Sequence, residues 1–115
     1  MGRSFDLEDR TTDFAKSVIK MCKRLPRSPI SDRLVSQAVS SGGSIGANYR
    51  EANDALGKKD FLMRMRITRR EAKECHHWLQ LLTVANEEEE REMQPLISEA
   101  FELKKIFSSI IDKSL

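Results

Sequence analysis

Glu74-Cys75-His76-His77 is the stretch of this 115-residue chain whose residue types could do chemistry. Glu-x-x-His spacing puts a carboxylate and an imidazole on one helix face, as in di-iron sites built inside helical bundles. A complete site needs a second such pair and two further carboxylates. The chain has only two histidines, adjacent to each other, so one copy cannot supply the set and no metal or other cofactor is expected. A cysteine beside a histidine could also be a nucleophile, but no third group is recognisable that would orient the base. Cys22 and Cys75 instead lie on apolar stripes and read as buried thiols. Two cysteines fit no metal spacing and are too few for a disulfide framework, so a reduced, cytoplasmic setting is expected.

The stretch Ser40-Ser41-Gly42-Gly43-Ser44-Ile45-Gly46-Ala47-Asn48-Tyr49-Arg50-Glu51-Ala52 raises a second possibility, a phosphate-cradling loop. It lacks the Lys-Ser/Thr ending of such a loop and no strand precedes it, so nucleotide binding is not supported. Three glycines inside a helix cost about 1 kcal/mol each relative to alanine, and close approach of a neighbouring helix is the expected compensation. Asn48 falls on the apolar seam, with Glu51 one turn later. Together with Arg64 (or Arg69), Glu71 and Glu74 these residues are expected to form a structural polar network rather than a catalytic one. A buried carboxylate needs a cation or several donors beside it.

Charge points to a third chemistry. Residues 1–84 hold 16 Lys or Arg against 10 Asp or Glu, whereas residues 85–115 hold 4 against 8. The basic residues form stripes: Lys16, Lys20, Lys23 and Arg27 at 4-3-4 spacing, then Arg66, Arg69, Lys73 and His76 at 3-4-3, with Lys59 and Arg70 nearby. Such stripes suit a polyanion, because each cation that meets a phosphate releases condensed counterions. Aromatic residues make up only 6% of the chain, and Tyr49 and Trp78 read as core or interface, so base stacking is poorly supported. Binding is expected to be electrostatic and weakly sequence-specific. The alternative is that the stripes are solvated, salt-bridged faces, or that the two unlike halves pair within a bundle or an oligomer.

The elements that position these residues follow from apolar spacing. Thr11, Phe14, Val18, Met21 and Leu25 keep to one face of a first helix, roughly 8–25, which Pro26 and Pro29 end. A second helix, roughly 30–56, turns Leu34, Ala38, Ser41, Ile45, Asn48, Ala52 and Ala55 inward, with Gly57 as a left-handed stop. The third, roughly 58–86, carries Phe61, Met65, Thr68, Ala72, Cys75, Leu79 and Leu82. The fourth, roughly 93–113, has Pro95 in its first turn and Leu96, Ala100, Leu103, Phe107 and Ile110 on its seam. No segment alternates with period two.

The expected fold is all-α: one domain over residues 1–115, an antiparallel up-down-up-down four-helix bundle. Met63, Ile67, Trp78 and Leu81, with Ile97, Ile106 and Ile111, exceed what one small core needs, and so predict a homo-oligomer. No apolar run reaches the roughly 18–20 residues of a membrane span, so no membrane partner is expected. The opening residues contain no signal-peptide core; Met1-Gly2 resembles a myristoylation start, a weak signal.

Several strings occur in a familiar order: Arg10-Thr11-Thr12-Asp13-Phe14-Ala15, Ser44-Ile45-Gly46-Ala47-Asn48-Tyr49-Arg50-Glu51-Ala52, Lys59-Asp60-Phe61, Arg70-Glu71-Ala72-Lys73-Glu74, and Trp78-Leu79-Gln80-Leu81-Leu82. Over about residues 5–113 the chain resembles the bacterial four-helix-bundle proteins of the 23S rRNA intervening-sequence family, also labelled ribosomal-protein-like. The resemblance implies a cytoplasmic bundle assembled as a ring-like homopentamer, with no established enzyme activity or cofactor. Distant relatives are accessory proteins of diversity-generating retroelement reverse transcriptases, where a basic surface suggests nucleic-acid contact. The leading expectation is therefore a non-enzymatic oligomer that binds RNA or other nucleic acid through basic helix faces. The alternative is a structural or protein-binding scaffold with no nucleic-acid role.

Overall fold

Asp6 opens the first helix by accepting hydrogen bonds from the Glu8 and Asp9 amides, which would otherwise lack helical partners. The computed structural model describes residues 6–115, so the Met1-Gly2 start lies outside the described residues. Helix α1 spans Leu7–Arg24 and stops as Leu25 turns extended ahead of Pro26. Ser28 then caps α2 (Pro29–Asn53), its hydroxyl accepting from the Ser31 amide at 3.0 Å. Pro29 thus begins α2 rather than ending α1, since the first helical position has no need of an amide hydrogen.

Two further boundaries differ from expectation. Helix α2 ends at Asn53, closed by the Asp54 amide folding back on carbonyls of the last turn. Gly57, expected as its left-handed stop, is instead the residue that caps α3 (Lys58–Ala85), and its φ of 169° is extended backbone. A 3-10 turn at Glu87–Glu89 leads into α4 (Glu90–Ser114), which starts before the expected residue 93. Pro95 therefore lies inside α4, beyond its first turn. Glu90 and Glu92 suit the positive end of the helix dipole and draw the start forward. Pro95 is exposed and deprives only the Arg91 carbonyl of its helical donor.

Helices α1 and α3 each pack on α2 and α4 and sit diagonally, with no close backbone approach between them. Cross-helix contacts join low numbers to high: Arg10 to Glu99, Arg24 to Glu89, Arg50 to Glu8, Asn86 to Ser31 and Arg69 to Ser108. Neighbouring helices therefore run antiparallel. The described residues form helices and connections, with no strand.

The core forms where the apolar stripes meet. All five expected α1 residues are buried, as are Met65, Thr68, Ala72, Cys75, Leu79 and Leu82 of α3. At the start of α3 it is Leu62 that is buried and Phe61 only half so. In α4 the inner residues are Met93, Leu96, Ala100, Leu103, Phe107 and Ile111. Ile111, expected on the flank, thus replaces Ile110 at the end of the seam. The buried hydroxyls of Thr11, Ser41 and Thr68 donate to carbonyls one turn back, which removes the cost of burying them. Of the surplus apolar residues, Trp78 and Ile97 are half-buried against the core, whereas Met63 and Leu81 remain exposed on α3.

The glycines of α2 divide by surroundings. A methyl group on Gly46 would meet the Thr11 hydroxyl at 3.0 Å, so α1 does approach closely here. Gly42 has room for ordinary contact with Val18 and Cys75, and Gly43 faces open space. Gly43→Ala should raise stability by about 0.5–1 kcal/mol, the helix-propensity gain. Gly46→Ala should lower it, because Thr11 is pinned by two hydrogen bonds to its own helix and overpacking of roughly 1–3 kcal/mol outweighs that gain. Urea denaturation of both variants at one protein concentration checks the pair. The opposite order would show that α1 yields at this contact.

Burial also sets the thiols. Cys75 is fully buried, its sulfur 3.7 Å from the Ala38 carbonyl, and burial pushes its pKa up to about 12. Cys22 is half-buried and shifted the same way by the same cause. Both should react slowly with Ellman's reagent at pH 8 in the folded chain, and both rapidly in guanidinium, because only the thiolate attacks. A fast native burst of one thiol per chain would contradict that environment.

Candidate nucleic-acid interface

Helix α3 turns its core stripe toward α2 and α4 and leaves its basic residues on the far side. Lys59, Arg66, Arg70 and Lys73 are exposed there, and Arg69 is half-buried where it reaches across to the Ser108 hydroxyl of α4 at 3.5 Å. Arg70, itself exposed, has a neighbouring half-buried carboxylate, Glu71, at 3.6 Å. Lys59, Arg66 and Lys73 form no ion pair with any described residue.

Because α4 runs antiparallel to α3, residues 101–108 lie beside residues 69–76. This brings in Phe101, Lys104 and Lys105. The Phe101 ring is 43% exposed, with the Lys104 and Lys105 ammonium groups 4.8 and 5.2 Å from its centroid. Each is within cation–π range, worth about 0.5–1 kcal/mol at an exposed site. The His76 ring stands 5.8 Å from Phe101, and Lys73, His76, Phe101 and Lys104 line one shallow depression between the helices. Burial, then the nearby Lys104 ammonium, holds the His76 pKa below its usual value. Lys105 also pairs with Glu102 at 3.2 Å along its own helix.

Lys104 and Lys105 were hidden in the sequence by the acidic balance of residues 85–115. The signal that could have found them is positional. Phe101, Lys104 and Ser108 flank the α4 seam on the side nearest an antiparallel α3, and Lys105 lies further round, exposed.

The α1 stripe is placed elsewhere. Lys16, Lys20 and Lys23 are exposed on the face opposite the α1 core residues. Arg27 lies beyond the helix end, forked onto Asp32 at 2.8 and 3.0 Å, which raises the arginine pKa and lowers that of the carboxylate. Its charge is thus already matched. Since α1 and α3 are diagonal, the two stripes do not form one surface in a single chain.

Of the expected polar network, the structure brings together Asn48 and Arg64, at 3.5 Å, with the Asn48 amide donating to the Ser44 carbonyl at 2.9 Å. Glu51 and Glu74 are exposed, Glu71 lies beside Arg70, and none of the three bonds to that pair. Helical rotation carries these carboxylates to the rim of the α2–α3 contact. The stronger cross-helix polar ties are others. Glu99 accepts a two-pronged hydrogen bond from Arg10 at 2.7 and 2.9 Å, and Glu8 accepts from Arg50 and Asn53.

No group of three or more His, Cys, Asp or Glu among the described residues is arranged to hold a metal ion, and no described helix is long and apolar enough to cross a membrane. With Cys75 facing the core and His76 facing α4, the adjacent thiol and imidazole do not form a nucleophile–base pair.

Comparison with known proteins bears on this arrangement. No curated protein sequence matches the chain. Among solved structures it is similar to a protein of unknown function from the S23 ribosomal protein family of Bacteroides thetaiotaomicron VPI-5482. The two are 29% identical with a TM-score of 0.79, over 90% of this chain and 96% of that one. The model of the family described as 23S rRNA-intervening sequence protein matches residues 3–109, and the chain belongs to that family.

Proposed function

We propose that this protein is a non-enzymatic, oligomeric helical bundle, one cytoplasmic domain, that binds RNA through the face shared by α3 and α4. The observation that carries the reading is the placing of Arg69 and Lys73 of α3 beside Lys104 and Lys105 of α4, with Arg66 exposed on the same helix as the first two; of these described residues only Lys105 is ion-paired, to Glu102. Clustering like charge costs folding free energy through self-repulsion, and an anionic partner relieves it. Assembly is supported by Met63, Leu81 and Val84, exposed apolar residues on α3 that a second copy would cover. Five copies is the number that the family resemblance implies, and a pentamer would repeat the basic face five times. Those apolar residues equally favour a second reading, a scaffold that recruits a protein rather than RNA.

Salt titration separates the two. Affinity for an unstructured RNA should fall with a log–log slope near −0.7 per phosphate contact. The triple variant Arg66→Glu, Lys73→Glu, Lys104→Glu should flatten that slope by about 2 and weaken binding, with the oligomer mass unchanged. Reversal of Lys16, Lys20 and Lys23 should change binding far less. Equal binding by wild type and the α3–α4 variant would overturn the assignment of this face, and a salt-independent or absent RNA interaction would favour the scaffold.

A further inference from the structure

The basic face contains one feature that phosphate contact alone does not use, an exposed aromatic ring. Phe101 lies on the outer flank of α4 and is not part of the buried core. Its surroundings are unusual for a surface phenylalanine: two ammonium groups within 5.2 Å of the ring centre, an imidazole 5.8 Å away at 44°, and Lys73 on the same depression. We propose that Phe101 is a stacking platform for an unpaired base, so that the α3–α4 face takes single-stranded rather than duplex nucleic acid.

This rests on the RNA-binding reading and narrows it. A base and an ammonium compete for the same π surface. The contacts of half-buried Lys104 and exposed Lys105 with the ring are weak ones, so a base can displace one of them. The displaced ammonium is then available to the phosphate flanking that base, as is Lys73 on the same depression. His76 closes the α3 side of the ring and limits how far it can turn. A duplex keeps its bases inside the stack and offers Phe101 no π face, whereas an unpaired segment offers one at every nucleotide. Charge complementarity selects a polyanion and the ring selects an unpaired one. Because every base has a π face, the site should be tolerant of sequence.

The test compares three probes of equal phosphate number by fluorescence anisotropy at low salt: an oligouridylate, an oligonucleotide of the same length with abasic sugars, and an RNA duplex. The wild-type protein should bind the oligouridylate more tightly than the abasic strand or the duplex. Phe101→Leu should weaken oligouridylate binding roughly five- to a hundredfold and leave the abasic strand within about twofold. Phe101→Trp should restore or tighten oligouridylate binding. Native mass spectrometry on each variant checks that the oligomer is intact. If Phe101→Leu binds the oligouridylate as wild type does, with the salt slope retained, stacking is wrong and phosphate contact stands alone. If it weakens all three probes equally, the ring only arranges the lysines and stacking is again wrong. If no probe binds the wild-type protein at low salt, both the stacking and the broader RNA-binding reading fall.

Discussion

Everything about the placement of the basic face depends on how closely α2 nests between its neighbours. Its inward residues are small: Ala38, Ser41, Gly42, Gly46 and Ala52, with Ile45 the one large side chain among those buried. On one side Gly46 lets Thr11 of α1 come nearly into backbone contact, and on the other the Cys75 sulfur of α3 reaches the Ala38 carbonyl. Small side chains shorten interaxial distances, and a close-packed contact leaves little room for charged groups, Arg64 at Asn48 being the one that the described hydrogen bonds place across it. Helix α3 must then put most of its long polar side chains elsewhere. The remaining flank is the one it shares with α4, where Arg69, Lys73 and His76 meet Phe101, Lys104 and Ser108.

Charge is sorted by the same geometry. The acidic residues of the last third do not sit opposite the basic stripe of α3. Glu89 and Glu99 turn toward α1, where Arg24 and Arg10 meet them, and Glu8 of α1 holds Arg50 of α2. These pairs tie α1 to the α4 side near both of its ends and to α2 near its start. They also use up carboxylates that could otherwise neutralise Lys73 or Lys104; Lys105 alone of the basic residues beside Phe101 is paired, with Glu102 of its own helix. One helix, α4, therefore shows an acidic flank to α1 and a basic flank to α3, and its net charge describes neither.

Most of the architecture was legible in the sequence because apolar spacing is a local signal. The α1 stripe is buried residue for residue, and the α3 seam from Met65 to Leu82 likewise. Errors fell where a boundary is set by competition. Pro29 suits the start of a helix as well as the end of one, Gly57 needs no left-handed turn when Asp54 already closes α2, and acidic residues carry α4 past Pro95 toward the N-terminus. The candidate site was only half legible. The α3 basic residues announce themselves by spacing, but Lys104, Lys105 and Phe101 acquire meaning only from the antiparallel pairing that sets them against α3. Spacing likewise could not show that Arg27 meets Asp32 off the helix, or that the carboxylates near Asn48 make no bond to the Asn48–Arg64 pair.

The central claim is one of location: that an anionic strand lies on the α3–α4 face and not on α1. Lysine acetylation footprinting tests it most directly, with the intact protein labelled in the presence and absence of an unstructured RNA and the modified lysines read by mass spectrometry. Protection of Lys73, Lys104 and Lys105, with Lys16, Lys20 and Lys23 labelled as in the free protein, is the predicted result. Protection confined to the α1 lysines, or the same labelling everywhere with RNA bound, would contradict it.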